Sequence, residues 1–452
     1  MNSEYLTRSI DRDLLKWKKA AKRKPILLRG ARQVGKSSTV RELGKQFDYF
    51  VEVNFERDDI KHGVKTIFEK GSGDPKRICE ELSVVYRTPI LPGKTLLFLD
   101  EIQSCIPAIS SLRYFHEEYP DLHVIAAGSL LEFALQELPS FGVGRIHSLF
   151  LYPFSFDEYL RAKGAAMLAD AIQQASPERP FSEAIHNKCI QELTRFMLIG
   201  GMPEVVATYI HGGSLLECQD ILDDLTLSFY NDFSKYKERV PLSRLREIFA
   251  AVIHQTGGKF TYTQASPHAN RLQIKESVEL LELAGIIYPV THTSANGLPL
   301  AAEVNTKYRK YLILDTGIYQ RFLKLDMGQL FSAESLQQVN KGALAELFVG
   351  LELLKSAPAN SPIQLHYWQR EKAGSSAEVD YVVQRGSDII PIEVKSGTKG
   401  SMQSMFQFLS EKSYAYGIRS SMENFGAFQS VRIYPLYAVS CVGKGQFSAG
   451  IE

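Results

Sequence analysis

The chain has 452 residues, with 52 lysines and arginines against 51 aspartates and glutamates, so overall charge does not point to nucleic acid and any basic face must be local. That length suffices for two to four domains, and no apolar run approaches the roughly 20 residues that span a bilayer, so a protein without a membrane segment is expected. Cysteines at 79, 105, 189, 218 and 441 fall in no metal-ligand spacing and no signal-peptide pattern opens the chain, which makes a reducing, cytoplasmic setting the expectation.

Residues 4 to 23, ending in KWKKAAKRK, are predicted as a polar, basic helix whose lysines form a solvated face. From there to about Glu158 strands and helices alternate: PILLR, a helix from Lys36, YFVEVNF, a long helical region, TLLFLD, a helix, then LHVIAAG. Such alternation predicts a parallel sheet with helices on both faces. Residues 161 to 185 lose the strand signal and carry two prolines, and a mostly helical lid or linker continues to about 240.

Over 242–315, Leu245, Ile248, Phe249, Val252 and Ile253 recur at helical spacing. KFTYT reads as a short strand, RLQIKESVELLELAG as a second helix, and IIYPV and YLILD as strands around a polar loop, an order that suggests a winged helix. The second helix carries Arg271, Gln273 and Lys275 offset by Glu276 and Glu279, so DNA affinity there is expected to be weak and salt-sensitive, and protein contact is the alternative. An apolar helix over 342–355 then leads into the last strands. The predicted segments are 1–160, 161–240, 241–315 and 316–452.

Two motifs carry chemistry. GARQVGKSS, Gly30-Ala31-Arg32-Gln33-Val34-Gly35-Lys36-Ser37-Ser38, fits G-x-x-x-x-G-K-[ST] between a strand and a helix. Its backbone N–H groups would wrap the phosphates of ATP, Lys36 would reach the terminal ones, and Ser37 would offer its hydroxyl to Mg2+. TLLFLDE supplies the complement: Asp100 for the metal's water shell and Glu101 to orient or deprotonate the attacking water. Ser129, after the next strand, stands where a polar group could sense the terminal phosphate, or serves as a helix cap. Arg145 in GVGRI reads either as an arginine finger, acting on its own nucleotide or on a neighbouring subunit of a homo-oligomer, or as a surface arginine.

The second motif is AEVDYVVQRGSDIIPIEVKSG, Ala377–Gly397, a hairpin whose Gly386-Ser387 centre suits a two-residue turn. That register sets Asp380 opposite Glu393 and Glu378 opposite Lys395 on one face, with Val379, Tyr381, Val383, Ile390, Ile392 and Val394 on the other. Opposed like charges need a cation between them, and a metal ion would supply it. Glu346, in the apolar helix, is a buried carboxylate with the same need. Asp380, Glu393 and Glu346 are thus candidate Mg2+ ligands, with Lys395 to position or deprotonate a water. The plain alternative is a Glu378–Lys395 salt bridge on a solvated face.

LLRGARQVGKSS, TLLFLDEIQ, AAGSLLEFAL, GVGRIHSLFLYPFSFDEYL and GGMPEVV, continued by GALAELFVGLEL, AEVDYVV and IPIEVKSG, resemble the prokaryotic AAA+-type ATPases with a C-terminal restriction-endonuclease-like domain of unknown function. The resemblance implies an α/β fold: a P-loop ATPase domain, a winged-helix-like domain and a restriction-endonuclease-like α/β domain of the PD-(D/E)XK superfamily. In that superfamily's pattern Asp380 is the strand aspartate, Glu393-Val394-Lys395 the E-x-K element and Glu346 the helix acid, with Val379 standing where proline is expected. A G-x-P element in related signal-transducing ATPases sets its proline against the adenine, which would carry over to Gly201 and Pro203; a helix-breaking turn is the other reading. Two functions follow as expectations: an ATP-driven machine controlling a metal-dependent nuclease on DNA, or an ATP-dependent switch or scaffold whose C-terminal part binds partners without cutting.

Overall fold

The structure is a computed structural model that describes residues 5–57, 63–71, 73–137, 144–236, 239–327, 341–372, 377–397 and 400–443. The segments expected from the sequence fall into two compact units. The first comprises Met1–Pro153 with Leu283–Gly285 and Pro358–Pro362, and the second Phe154–Glu282, Ile286–Ala357 and Ile363–Glu452. Among the described residues no helix is long and apolar enough to cross a membrane.

The first unit is built on five strands: β1 (Ile26–Arg29), β2 (Tyr49–Asn54), β3 (Thr95–Asp100), β4 (His123–Ala127) and β5 (His147–Phe150). All pairings are parallel and the order is β2-β3-β4-β1-β5, as the alternation of elements predicts. β3 and β4 are buried along their whole length because helices cover both faces. Leu97, Leu99, Val124 and Ala126 point into a cluster with Phe68, Ile78, Leu112 and Phe115. Helix Lys36–Gly44 contacts β3 and β4 and buries Val40 and Leu43. Each fully buried leucine in this sheet contributes about 1.5–3 kcal/mol.

Two helices differ from expectation. The first is shorter than predicted, Ile10–Lys19, and buries Ile10, Leu14 and Trp17 on one face while Lys16, Lys18 and Lys19 lie in its last turn. The long helical region after β2 is two helices, Val64–Gly71 and Pro75–Tyr86. Asp74 caps the second by accepting the Arg77 N–H at 3.1 Å, and Pro75 takes the first helical position, where no N–H is missed.

The second unit begins with helices Phe156–Ala162, Ala166–Gln174, Glu183–Ile199, Pro203–Ile210 and Leu215–Asp232. Helices Leu242–His254 and Arg271–Leu283 follow, and KFTYT between them is not a strand: Tyr262–Ala265 is a helical turn. Only Phe260 there bonds a strand backbone, its N–H donating to the Arg309 carbonyl at 2.8 Å, too little to form a ladder.

Eight further strands form one sheet: β6 (Ile287–Thr293), β7 (Val304–Ile313), β8 (Leu365–Gln369), β9 (Glu378–Arg385), β10 (Asp388–Val394), β11 (Gly417–Ser421), β12 (Gly426–Phe428) and β13 (Val431–Pro435), in the order β12-β13-β11-β10-β9-β8-β6-β7. β6 and β7, the strands expected of a separate winged helix, continue the C-terminal sheet through the parallel β6–β8 pair. Helix Lys341–Ser356, buried along most of its length, contacts β7 and β10.

The β9–β10 hairpin has the predicted register, from Arg385 opposite Asp388 to Tyr381 opposite Ile392, with Gly386 at φ 54° in the turn. Strict alternation nevertheless fails. Against β8, His366 pairs with Val382 and Trp368 with Val379, so β9 carries one extra residue in between. Val379 and Val382 therefore share one core with Trp368, Met405 and Phe408, whereas the Tyr381 hydroxyl donates to the Glu346 carbonyl at 2.7 Å. The face predicted to be polar is also partly apolar: Val382, Ile389 and Pro391 are buried.

Candidate functional site

The glycine loop follows β1 and delivers its last residues into helix Lys36–Gly44. Gly30 has φ 147°, Gln33 φ 62° and Gly35 φ 98°, the left-handed conformations that aim successive N–H groups inward. A Cβ on Gly30 would lie 2.1 Å from the Leu151 carbonyl oxygen. Gly30→Ala is therefore expected to cost about 1–3 kcal/mol, read as a lowered Tm together with weaker nucleotide binding.

Lys36 is buried and curls into the loop, its Nζ donating to the carbonyls of Gly30 at 2.9 Å and Ala31 at 2.7 Å. Ser37 Oγ donates to Asp100 Oδ2 at 3.0 Å, so the two groups expected around Mg2+ already meet across the helix start and the end of β3. Asn54 Nδ2 reaches the same oxygen at 3.4 Å. Burial, and then Glu101, push the Asp100 carboxyl above its usual range, with the Ser37 bond opposing. Glu101 sits at φ 51°, and its Oε2 accepts from Gln103 Nε2 at 2.7 Å, Ser129 Oγ at 3.2 Å and Ser129 N at 3.4 Å. Ser129 thus touches the expected water-activating group. Arg145 is paired with Glu117 and half exposed.

Burial lowers the Lys36 amine to about 8, with Glu101 and Asp100 opposing. Its ammonium is present below that value and lost above it. ATP affinity is expected to weaken by up to roughly tenfold per pH unit above that point. Titration of a fluorescent ATP analogue from neutral pH upward checks this, and Lys36→Arg should flatten the curve.

In the second unit, the turn after helix Leu242–His254, the start of helix Lys341–Ser356 and the hairpin end line a cavity of about 520 Å³, into which Lys259, Glu346, Asp380 and Lys395 bring charge. Gly257, at φ 84°, allows the turn to approach the helix: a Cβ there would lie 2.9 Å from Ala343 Cα. At the heart of the cluster is Lys310, on β7 and 2% exposed. Its Nζ pairs with Glu378, with Glu346 Oε1 at 2.8 Å and with Asp380 Oδ1 at 3.9 Å, and lies 5.2 Å from the Tyr367 ring centre. Asp380 Oδ2 accepts the Val394 N–H at 2.7 Å. Lys395 Nζ pairs with Glu393 Oε1 at 2.7 Å, so the alternative Glu378–Lys395 bridge does not form.

Burial alone would discharge Lys310, but Glu346, Asp380 and Glu378 together outweigh it and hold the ammonium charged. The carboxyls show the complementary effect. Burial raises Glu346, Asp380 and Glu393 above the usual range, more than Lys310 and Lys395 lower them.

Comparison with known proteins assigns the first unit. The profile of an AAA domain family matches residues 22–160. Residues 22–160 form an AAA-type P-loop ATPase domain. Beyond this AAA domain, residues 190–329 match a domain of unknown function, DUF8612, and residues 341–439 another, DUF4143. No curated protein matches the chain. Among solved structures, the Walker-type ATPase PABY2304 of Pyrococcus abyssi is similar at 14% identity and a TM-score of 0.46, over 71% of this chain and 97% of its own. The Aeropyrum pernix Orc1 protein, solved in complex with DNA, is similar at 14% identity and a TM-score of 0.26, over 71% and 93%.

The two expected Mg2+ positions differ in fit. In the AAA domain, Ser37 and Asp100 present adjacent oxygens beside a helix start, a donor set that suits Mg2+. In the second unit, each ligand expected from the sequence is engaged. Glu346 holds Lys310, Asp380 takes Val394 and lies near Lys310, and Glu393 holds Lys395, which leaves Glu393 Oε2 as a buried oxygen with no partner. Among the described residues no group of three or more His, Cys, Asp and Glu side chains is placed to hold a metal ion. As arranged, these carboxylates do not fit a divalent ion.

Gly201 and Pro203 belong to the second unit. Gly201 packs so closely that a Cβ would meet the Phe154 carbonyl oxygen at 2.3 Å, and Pro203 opens a helix. Buried Asp315 accepts the Gly201 N–H at 2.6 Å and those of Gly317 and Ile318 at 2.9 and 3.1 Å. Sequence reasoning missed Lys310, Gln103 and Asp315. The available signal for Lys310 was a lysine heading the apolar run KYLIL.

Proposed function

We propose that the chain hydrolyses ATP with Mg2+ in its AAA domain and uses the nucleotide state as a switch for the second unit, which binds a partner through its charged pocket without cutting nucleic acid. The Ser37–Asp100 contact beside the buried Lys36 carries the ATPase part. Ser37 and Asp100 would hold Mg2+, which when bound would supply neutralisation of the charge on the ATP phosphates. Lys36 would leave the loop carbonyls for the terminal phosphates, and Glu101 would orient the attacking water. Ser129 and Gln103, which donate to Glu101 Oε2, would orient that carboxylate.

For the second unit, Glu346, Asp380 and Glu393 each already have one oxygen engaged by a lysine or a backbone N–H, which supports binding over hydrolysis. A second reading, in which the pocket cleaves phosphodiesters as the sequence resemblance implies, has the partnerless Glu393 Oε2 in its favour. One experiment separates them. Purified chain is incubated with ATP, Mg2+ and DNA, and phosphate release and DNA length are followed. The switch reading expects phosphate release, intact DNA, and release unchanged in Asp380→Ala; DNA cleavage abolished by Asp380→Ala would overturn it. Glu101→Gln should keep ATP bound while slowing release by roughly 10²–10⁴-fold.

A further inference from the structure

We infer that Lys310 is the resident cation of the second unit's pocket, a tethered ammonium standing where its carboxylates would otherwise draw a divalent ion. Glu346 from helix Lys341–Ser356 and Asp380 from β9 line the pocket, Glu378 from β9 meets them at Lys310, and Glu393 from β10 pairs with Lys395 at its edge. Buried carboxylates need compensation by a cation or by hydrogen bonds. A metal ion would be one answer.

The fold supplies another from a strand distant in sequence. β7 runs antiparallel to β6, with Lys310 opposite Val290, and β6 joins β8, which joins β9. That path brings Lys310 to the acids of the hairpin. Its Nζ touches Glu346 and Glu378 and lies 3.9 Å from Asp380, so one ammonium contacts two carboxylates and acts on a third through its charge. The extra residue in β9 helps, because it turns Asp380 and Tyr381 toward the same helix. Lys395 serves Glu393 in the same way, so both halves of the pocket are compensated by lysine. A divalent ion beside Asp380 would stand against a fixed ammonium that cannot leave as a bound ion or water does.

The inference rests on reading this pocket as the second unit's binding site, and it is tested without ATP, DNA or any partner, so the two can fail separately. Mn2+ alone is titrated into the full chain and free Mn2+ is read by electron paramagnetic resonance. Wild type and Asp380→Asn are expected to give the same curve, any binding at the P-loop being common to both. Lys310→Met is expected to gain a Mn2+ site that Lys310→Met/Asp380→Asn lacks. A wild-type site lost in Asp380→Asn overturns the inference, and so does a folded Lys310→Met that gains none. If Lys310→Met does not fold, the wild-type and Asp380→Asn thermal shifts in Mn2+ decide: equal shifts support the tethered cation, and a larger wild-type shift overturns it.

Discussion

Lys36→Ala is expected to lower ATP turnover by at least about 10²–10³-fold, the loss that follows removal of one preorganised charge or donor at the reacting group. Lys36 is buried in the mouth of the loop, where its ammonium donates to the Gly30 and Ala31 carbonyls. If Lys36 serves the terminal phosphates as proposed, nucleotide would exchange one set of oxygen acceptors for another, with little reorganisation. Alanine leaves the loop backbone free to bind the other phosphates, so affinity should fall less than kcat. Phosphate release measured beside fluorescent-nucleotide binding separates the two. Equal turnover in wild type and Lys36→Ala would remove the AAA domain's assigned chemistry.

The largest stability effect is expected at Lys310. Lys310→Ala removes the cation from a buried cluster and leaves Glu346, Glu378 and Asp380 facing one another, which should cost about 3–5 kcal/mol. Urea unfolding of the full chain reads this as a lowered midpoint. Its sign depends on charge as well as packing, so the loss should be strongly non-additive: Glu346→Gln in the Lys310→Ala background should recover part of it, although Glu346→Gln alone destabilises. Additive losses would mean that Lys310 acts only by filling space. The loss should also shrink at acid pH, where the carboxyls, already held above their usual range by burial, take up protons and no longer need the ammonium.

What could be read in advance depended on how local the cause was. The P-loop is a local device: glycine positions, a following helix and a lysine at fixed spacing determine where phosphates can sit. The parallel sheet followed from the alternation of elements, because parallel strands need crossovers. The hairpin register followed from Gly386 and the pattern beside it. Side-chain direction at Asp380 did not, since a bulge against β8 shifts the alternation by one residue, and a bulge answers to a neighbouring strand. The KFTYT segment failed as a strand for a related reason: β-branched and aromatic residues favour a strand only where a partner edge is available.

The amino-acid sequence by itself determined the ATPase half of this protein: the loop, Lys36, Ser37, Asp100 and Glu101 lie close to strand ends whose order the chain dictates. Only the tertiary structure decided what compensates the acids of the C-terminal half. The sequence asks for a cation near Glu346 and Asp380 and is silent on its source. Lys310 answers through three strand pairings, β7 to β6, β6 to β8 and β8 to β9, and long-range pairings of that kind are set by the folded sheet as a whole.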